Sequence, residues 1–429
     1  MSEPVAVTPF NAFTPAKEVR DIDRFAGRKT ALKDLAAALQ AEGAQLVLYG
    51  QRGIGKSSLA RILEKLATND EDVLARLEER PYREFDYLPV YFACDDSVNS
   101  IERLLVRLMT EESGLAPWVP FKVVERKVTG EGGGKVGIKI IELSGKVSES
   151  ITERMTEVDA DIFSTFSNAC KEIAKSDIAK DGLLIIIDEF DRIKDSSGIA
   201  SLLKTLGPEK VTFALVGVAS SIEKLISEHE SVARQLSEGA IHIKPLDPAE
   251  LEEIITRAMD ALDNKYSFAP EAINWIVSIS RGHPFYVHLV AKHALLGAIA
   301  KRQNVVSEQI AREALAEIAL KGSAPIQEAL YKTAIGNSYV REVILKRFAS
   351  QDADEIYTTD IYAGIAAELG IDPSAVSVYV GHLASSKYGS VLIKTRDRYY
   401  RFGDSLFKAY AAARPHERKK GDLEEEVLT

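Results

Sequence analysis

Gly50, Gly55, Lys56 and Ser57 stand in the spacing G-x-x-x-x-G-K-S within GQRGIGKSS. Glycines at those positions let backbone N–H groups turn inward and cradle a β-phosphate. A helix starting directly after them adds free amides and the positive end of its dipole. Lys56 has the reach for β- and γ-phosphates, and the Ser57 hydroxyl is a magnesium ligand type. Gln51, Arg52, Gly53, Ile54 and Ser58 complete the wrap, so ATP and Mg2+ are the expected ligands. The alternative is a chance glycine-rich turn. The context disfavours it, because an apolar strand precedes the loop and an amphipathic helix follows. GEGGGK at 130–135 has neither and reads as a hairpin tip.

A second acidic feature lies at LLIIIDEFD, where a continuous apolar run ends in Asp188, Glu189 and Asp191. A carboxylate at such a strand end can hold magnesium, the role expected of Asp188. Glu189 would polarise the attacking water and Asp191 would support the loop. The competing reading is a strand that ends in a solvated acidic turn. Ser220 and Ser221 follow another apolar run. One of them could touch the γ-phosphate, and either could cap the helix SIEKLISE. Arg234 in HESVARQL is either an arginine finger for a neighbouring subunit's site or a surface arginine.

These residues need a scaffold. Leu46–Tyr49, LPVYFAC, LLIIIDEFD, VTFALVGVAS and Ile241–Ile243 read as buried strands alternating with helices at Lys29–Leu39, Ser58–Ala67, Ser100–Thr110, about 151–175 and about 198–205. Apolar runs of this kind suit parallel strands covered on both faces, and the alternation predicts a doubly wound α/β domain. The expected organisation is an extended arm at 1–20, a P-loop core at 21–247, a helical domain at 248–323, a winged helix-turn-helix at 324–414 and a charged tail at 415–429. Within the core, 117–150 reads as an inserted β-hairpin around a glycine turn and carries six basic residues. Trp118 and Trp275 read as packing residues.

Composition narrows the class. The chain has 429 residues, 46% of them apolar and 28% charged, which excludes wholesale disorder and fibrous classes. A net charge of −10 excludes a uniformly basic nucleic-acid coat, leaving only local patches for phosphate backbones. Cys94 and Cys170, far apart, form no zinc motif and no disulfide scaffold. A reducing cytoplasm fits, although a cysteine-poor secreted protein would look similar. The N-terminal run lacks a signal-peptide pattern, and no apolar run has membrane-spanning length.

The ordered set FAGR, GQRGIGKS, LLIIIDEFDR, LVGVASS and the arginine in HESVARQL, followed by helical and winged-helix patterns, resembles AAA+ ATPases over roughly residues 20–410. Within them it is similar to the origin-recognition/initiator clade and to STAND-type ATPases. The resemblance implies an AAA+-like core whose helical domain is a lid, and a homo-oligomer with shared ATP sites. It places Phe25 and Arg28 near the adenine, Ser220 at the sensor-1 position and Arg234 at the finger position. The lid lacks an arginine after Pro284. Gly282, His283 and Pro284 instead resemble the STAND lid motif, which implies a nucleotide contact at Pro284.

The C-terminal region carries mixed signals. Lys387–Arg414 holds seven basic residues and two acids, and Lys394, Arg396, Arg398 and Arg401 fall on or beside the wing. That suits double-stranded DNA phosphates. The recognition-helix candidate SAVSVYVGHLASSK is almost uncharged, which is poor for reading base edges. Two readings follow: an ATP-hydrolysing AAA+-like protein acting on DNA, or a slow STAND-like switch whose partner is a protein.

Overall fold

The computed structural model describes residues 6–43, 45–51, 53–119, 121–126, 137–142, 158–217, 236, 239–320, 325–351, 353 and 355–417. They divide into two units, one of residues 17–246 and one joining the N-terminal stretch up to Ala16 with Asp247 onward.

The first unit is built on five parallel strands, β1 (Leu46–Tyr49), β2 (Tyr87–Ala93), β6 (Gly182–Asp188), β7 (Val211–Gly217) and β8 (Ala240–His242), in the order β2-β6-β7-β1-β8. Alternate residues of each strand enter opposite cores. Val47, Ile185, Ile187, Phe213 and Leu215 pack with helices Ile101–Thr110, Ile162–Lys175 and Ile199–Leu206. Leu46, Leu48, Leu184, Ile186, Ala214 and Val216 pack with helices Lys29–Gln40 and Lys56–Ala67. All seven residues of β6 are buried, as its apolar run predicts. Gln45 is fully buried just before β1, and its amide is satisfied by the Val211 carbonyl (3.2 Å) and the Phe213 N–H (2.7 Å). The expected doubly wound α/β core is therefore present.

The inserted segment differs from a two-stranded hairpin. β3 (Phe121–Arg126), β4 (Gly137–Glu142) and β5 (Val158–Ala160) form a three-stranded antiparallel sheet in the order β3-β4-β5. The helix expected from about 151 starts at Ile162, because Val158–Ala160 pairs with β4 and the Asp161 side chain caps the helix at Ser164 N. The glycine tip at 130–135 lies outside the described residues. Trp118 is 41% exposed, contrary to the packing role expected of it.

In the second unit, helices Pro248–Asp260, Pro270–Ser280, Pro284–Ala300 and Glu308–Leu320 pack together with a two-residue parallel pairing of β9 (Ser267–Phe268) and β10 (Val305–Val306). A reciprocal capping box between Asp247 and Glu250 starts the first helix. Part of the expected arm belongs here. Phe13 is fully buried, edge-on to Phe268 and His288, and Thr14 N–H donates to His288 Nδ1 (3.3 Å).

Residues 325–413 form a helical region with a small sheet, which fits the expected winged helix. Helices Pro325–Ile335, Tyr339–Ala349, Thr358–Leu369 and Pro373–Ala384 accompany a sheet in the order β11-β13-β12, in which β11 (Ile356–Tyr357) lies between the second and third helices and β12 (Leu392–Arg396) and β13 (Tyr399–Phe402) follow the fourth. The last helix, Ser405–Ala413, closes on the first through Glu328, whose carboxylate accepts from Arg414 Nε and Nη2, both at 3.1 Å, and from Tyr410 Oη. Among the described residues no helix is long and apolar enough to cross a membrane.

The hydrogen bonds from Arg414 hold the Glu328 carboxyl down to about 2, and Tyr410 and Lys332 add to the effect. A depressed carboxylate stabilises the fold above its unfolded value, and that contribution is lost as pH falls through the folded value. Glu328→Gln is expected to cost about 2 kcal/mol near neutrality. The gap from wild type should close between about pH 4.5 and pH 2 in urea titrations followed by tryptophan fluorescence.

Candidate nucleotide-binding site

Parallel pairing brings the carboxyl ends of all five strands to one edge, and β1 is the point where strand order reverses, between β7 and β8. In open α/β sheets such an edge is where ligands bind. β1 runs directly into the glycine loop, and the loop runs directly into helix Lys56–Ala67. The helix forms because Leu59, Ile62, Leu63 and Leu66 make one buried stripe.

The loop has the backbone that phosphate recognition needs. Gly53 (φ 73°) and Gly55 (φ 96°) are left-handed, a region other residues enter only at a cost. At Gly50 the constraint is space, since an added Cβ would stand 2.7 Å from the Ile243 carbonyl oxygen. Ile54 is fully buried and anchors the loop. Lys56 Nζ donates to the carbonyls of Gly50 (3.3 Å) and Gln51 (2.9 Å), so the ammonium lies over the loop it is expected to serve. Gln51 is exposed, and Ser57 and Ser58 are partly exposed at the first turn of the helix. These residues fit a polyphosphate and its metal: unhindered backbone, an ammonium and a hydroxyl at a helix start.

Arg28 and Phe25 support this loop from below. Arg28 is 8% exposed and left-handed (φ 63°). Its guanidinium donates to the Ile54 carbonyl (2.5 Å) and to the Lys244 carbonyl, tying the loop to the segment that leaves β8. Phe25 is buried in the same core as Leu59 and Ile62.

Asp188 closes β6 on this edge and is 4% exposed. Its Oδ1 accepts from the Glu189 N–H (2.8 Å) and its Oδ2 accepts from the Tyr91 hydroxyl (2.5 Å). Burial, then the Asp188 charge, pushes the Tyr91 hydroxyl well above its ordinary value, so it stays a donor. Cys94, whose N–H donates to the Asp188 carbonyl (2.9 Å), is pushed up to about 12 by burial and then by Asp188, which keeps it a neutral thiol. Glu189 turns out of the strand in a left-handed conformation (φ 54°), and its side chain is 46% exposed. Arg192 Nε donates to the Glu189 carboxylate, and Arg192 Nη1 donates to Asp96 (2.5 Å) on the loop after β2. Asp191 lies beside Gly217 at the end of β7.

The first unit thus contains Phe25, Arg28, the loop residues, Asp188 and Glu189. Pro284 belongs to the other unit, as the first residue of its helix, preceded by Gly282 (φ 85°). Arg52, Ser220, Ser221 and Arg234 lie outside the described residues. Sequence reasoning missed Tyr91, Arg61, Arg192 and Asp96. Arg192 was legible in principle, three residues beyond Glu189; the others depend on contacts between elements distant in sequence.

On the winged helix, Lys394, Arg396, Arg398 and Arg401 are all exposed. Lys394 (3.6 Å) and Arg398 (3.8 Å) lie beside Asp397, and Arg396 pairs with Glu355 (3.2 Å) while stacking on Tyr399. The outward face of helix Pro373–Ala384 presents Ser374, Ser377, Val378 and Gly381, without charge.

Comparison with protein families matches residues 24–216 to the AAA ATPase domain. A search of curated proteins finds no match. Among solved structures the chain is similar to Cdc6p from Pyrobaculum aerophilum, at 13% identity over 99% of this chain and 100% of that one, with a TM-score of 0.47. It is similar to the Aeropyrum pernix ORC2 protein in ADPNP–ADP complexes, at 15% identity over 97% and 98% of the two chains, with a TM-score of 0.47. It is also similar to a chain of Drosophila ORC bound to DNA, at 12% identity over 97% and 95%, with a TM-score of 0.44.

Gly50→Ala should strain the loop against the Ile243 carbonyl and weaken nucleotide binding by tenfold or more, about 1.4 kcal/mol. Titration with a fluorescent ADP analogue reads this, and an unchanged affinity would show that the close approach does not matter.

Proposed function

We propose, from the AAA ATPase domain that residues 24–216 carry, that this protein binds ATP at the Gly50–Ser58 loop and hydrolyses it. The observation that carries the reading is the loop itself, with left-handed Gly53 and Gly55, Lys56 above them and Asp188 on the same sheet edge. Lys56 would bind the β- and γ-phosphates, and Ser57 and Asp188 would hold magnesium. Bound magnesium neutralises phosphate charge as it develops. Glu189 would take a proton from the attacking water once its carboxylate leaves Arg192. Phe25 and Arg28 support the loop, and contact with the base through that segment remains part of the proposal, as does a contact from Pro284. Ser220 as a γ-phosphate sensor and Arg234 as a finger completing a neighbour's site belong to it too, with a homo-oligomer as the active form.

Lys56→Ala should abolish nucleotide binding. Glu189→Gln should keep ATP affinity within about threefold and lower turnover by 10² or more, the lower range for a lost general base. Measured by calorimetry and phosphate release, normal binding in the first variant or normal turnover in the second refutes the corresponding role.

For the work that hydrolysis drives, double-stranded DNA is the first candidate partner. Lys394, Arg396, Arg398 and Arg401 supply exposed cations beside an uncharged helix, which suits backbone contact with little base readout. A second reading, a slow nucleotide-dependent switch acting on a protein partner, is favoured by two observations. Glu189 is engaged by Arg192, and three of the four wing cations already neighbour carboxylates. ATP turnover with long duplex DNA decides between them. Stimulation that fades as salt rises supports the DNA reading; slow turnover indifferent to DNA supports the switch.

A further inference from the structure

Magnesium held by Ser57 and Asp188 would need two elements kept at a set separation. Ser57 starts the helix after β1, while Asp188 ends β6, and β7 lies between these strands. We infer that Tyr91 and Arg61 are positioning residues that link the two and fix the Asp188 carboxylate for the metal. This rests on the reading of Asp188 as the metal-binding carboxylate.

The link is continuous. Arg61 lies on the same helix as Ser57, one turn further on. Its guanidinium carbon sits 3.2 Å from the centre of the Tyr91 ring. The guanidinium is itself held by Glu64 at 2.9 Å and by Glu18 at 3.4 Å. Tyr91 pairs with Ile186 in the β2–β6 register, two residues before Asp188, so its side chain is the diagonal neighbour of the carboxylate. The phenol reaches Asp188 Oδ2 at 2.5 Å while the Glu189 N–H holds Oδ1 at 2.8 Å. The carboxylate is therefore gripped at both oxygens and cannot rotate without breaking a hydrogen bond in a site 4% exposed. Directly after Ser57, Ser58 Oγ accepts from the Val19 N–H at 3.0 Å, and Glu18 is the next residue back along the chain. The segment entering this unit is thus fastened to the same helix turn and the same guanidinium. Outer-shell partners of this kind orient metal ligands, and their loss typically costs tenfold or more in metal affinity.

A buried phenol that merely needs an acceptor would look similar, so the test separates metal binding from packing. Mn2+ is titrated into the full chain saturated with ADP, and free Mn2+ is read by electron paramagnetic resonance. ADP affinity is read separately in EDTA. Tyr91→Phe keeps the ring under Arg61 and removes only the hydroxyl. It is expected to weaken Mn2+ binding about tenfold, with metal-free ADP affinity unchanged. Arg61→Gln leaves the hydroxyl in place and frees the ring, and should shift Mn2+ affinity in the same direction by less. Asp188→Asn is the reference and should weaken Mn2+ more than either. If Asp188→Asn weakens Mn2+ and Tyr91→Phe does not, the inference is overturned while the metal assignment stands. If Asp188→Asn changes nothing, the metal assignment falls and the inference with it. Equal losses of Mn2+ and metal-free ADP in Tyr91→Phe mean packing alone, and overturn it as well. Should Tyr91→Phe fail to fold, an unshifted Mn2+ affinity in Arg61→Gln has the same force.

Discussion

Burial of a parallel sheet on both faces is the constraint from which the rest of the first unit follows. A parallel ladder needs a crossover after every strand, and the crossovers cover both faces with helices. Because every strand then points the same way, every strand exit falls on one edge. The glycine loop, Asp188 and the end of β7 share that edge for this reason. The side chains at the edge inherit their spacing from a core of Ile185, Ile187, Phe213 and Leu215 on one side and Leu48, Ile186 and Val216 on the other.

Polar contacts then stiffen what packing has brought together. Arg28 grips the loop at Ile54 and the exit of β8 at Lys244, so one guanidinium ties the short edge strand to the glycine loop. Tyr91 and Arg61 make the corresponding connection on the other side of the loop helix. Glu189 is held differently. It precedes the 3-10 turn Phe190–Arg192 and pairs with Arg192, whose guanidinium also reaches Asp96 on the loop after β2, and ion pairs between side chains this exposed are weak. The loop and Asp188 are thus held by buried contacts, whereas the Glu189 carboxylate is held only by exposed ion pairs.

The legible parts of the molecule were those where chemistry restricts residue type locally. Gly53, Gly55 and Lys56 announce themselves because few other residues allow that backbone or that charge at a helix start. The strand core was readable from unbroken apolar runs such as that of β6, which the structure buries completely. The Tyr91–Asp188 bond was not readable, since it joins residues 97 apart through a register that only packing decides. Nothing in the local sequence sets Arg61 apart from a solvated helix arginine, since the ring beneath it comes from β2. The insertion misled for a related reason. Three residues, Val158–Ala160, gain strand character only from β4, while the signal for where the helix starts is a single Asp at 161.

Phe13 brings residues 12–14 into a hydrophobic core with Phe268 and His288. A truncation that trims the chain to the start of the first unit would therefore remove a plug from the second, baring the apolar surfaces of Phe268 and its neighbours. Loss of solubility or of activity in such a shortened protein would report a hole in the helical unit. It should not be read as evidence that the missing residues recognise anything.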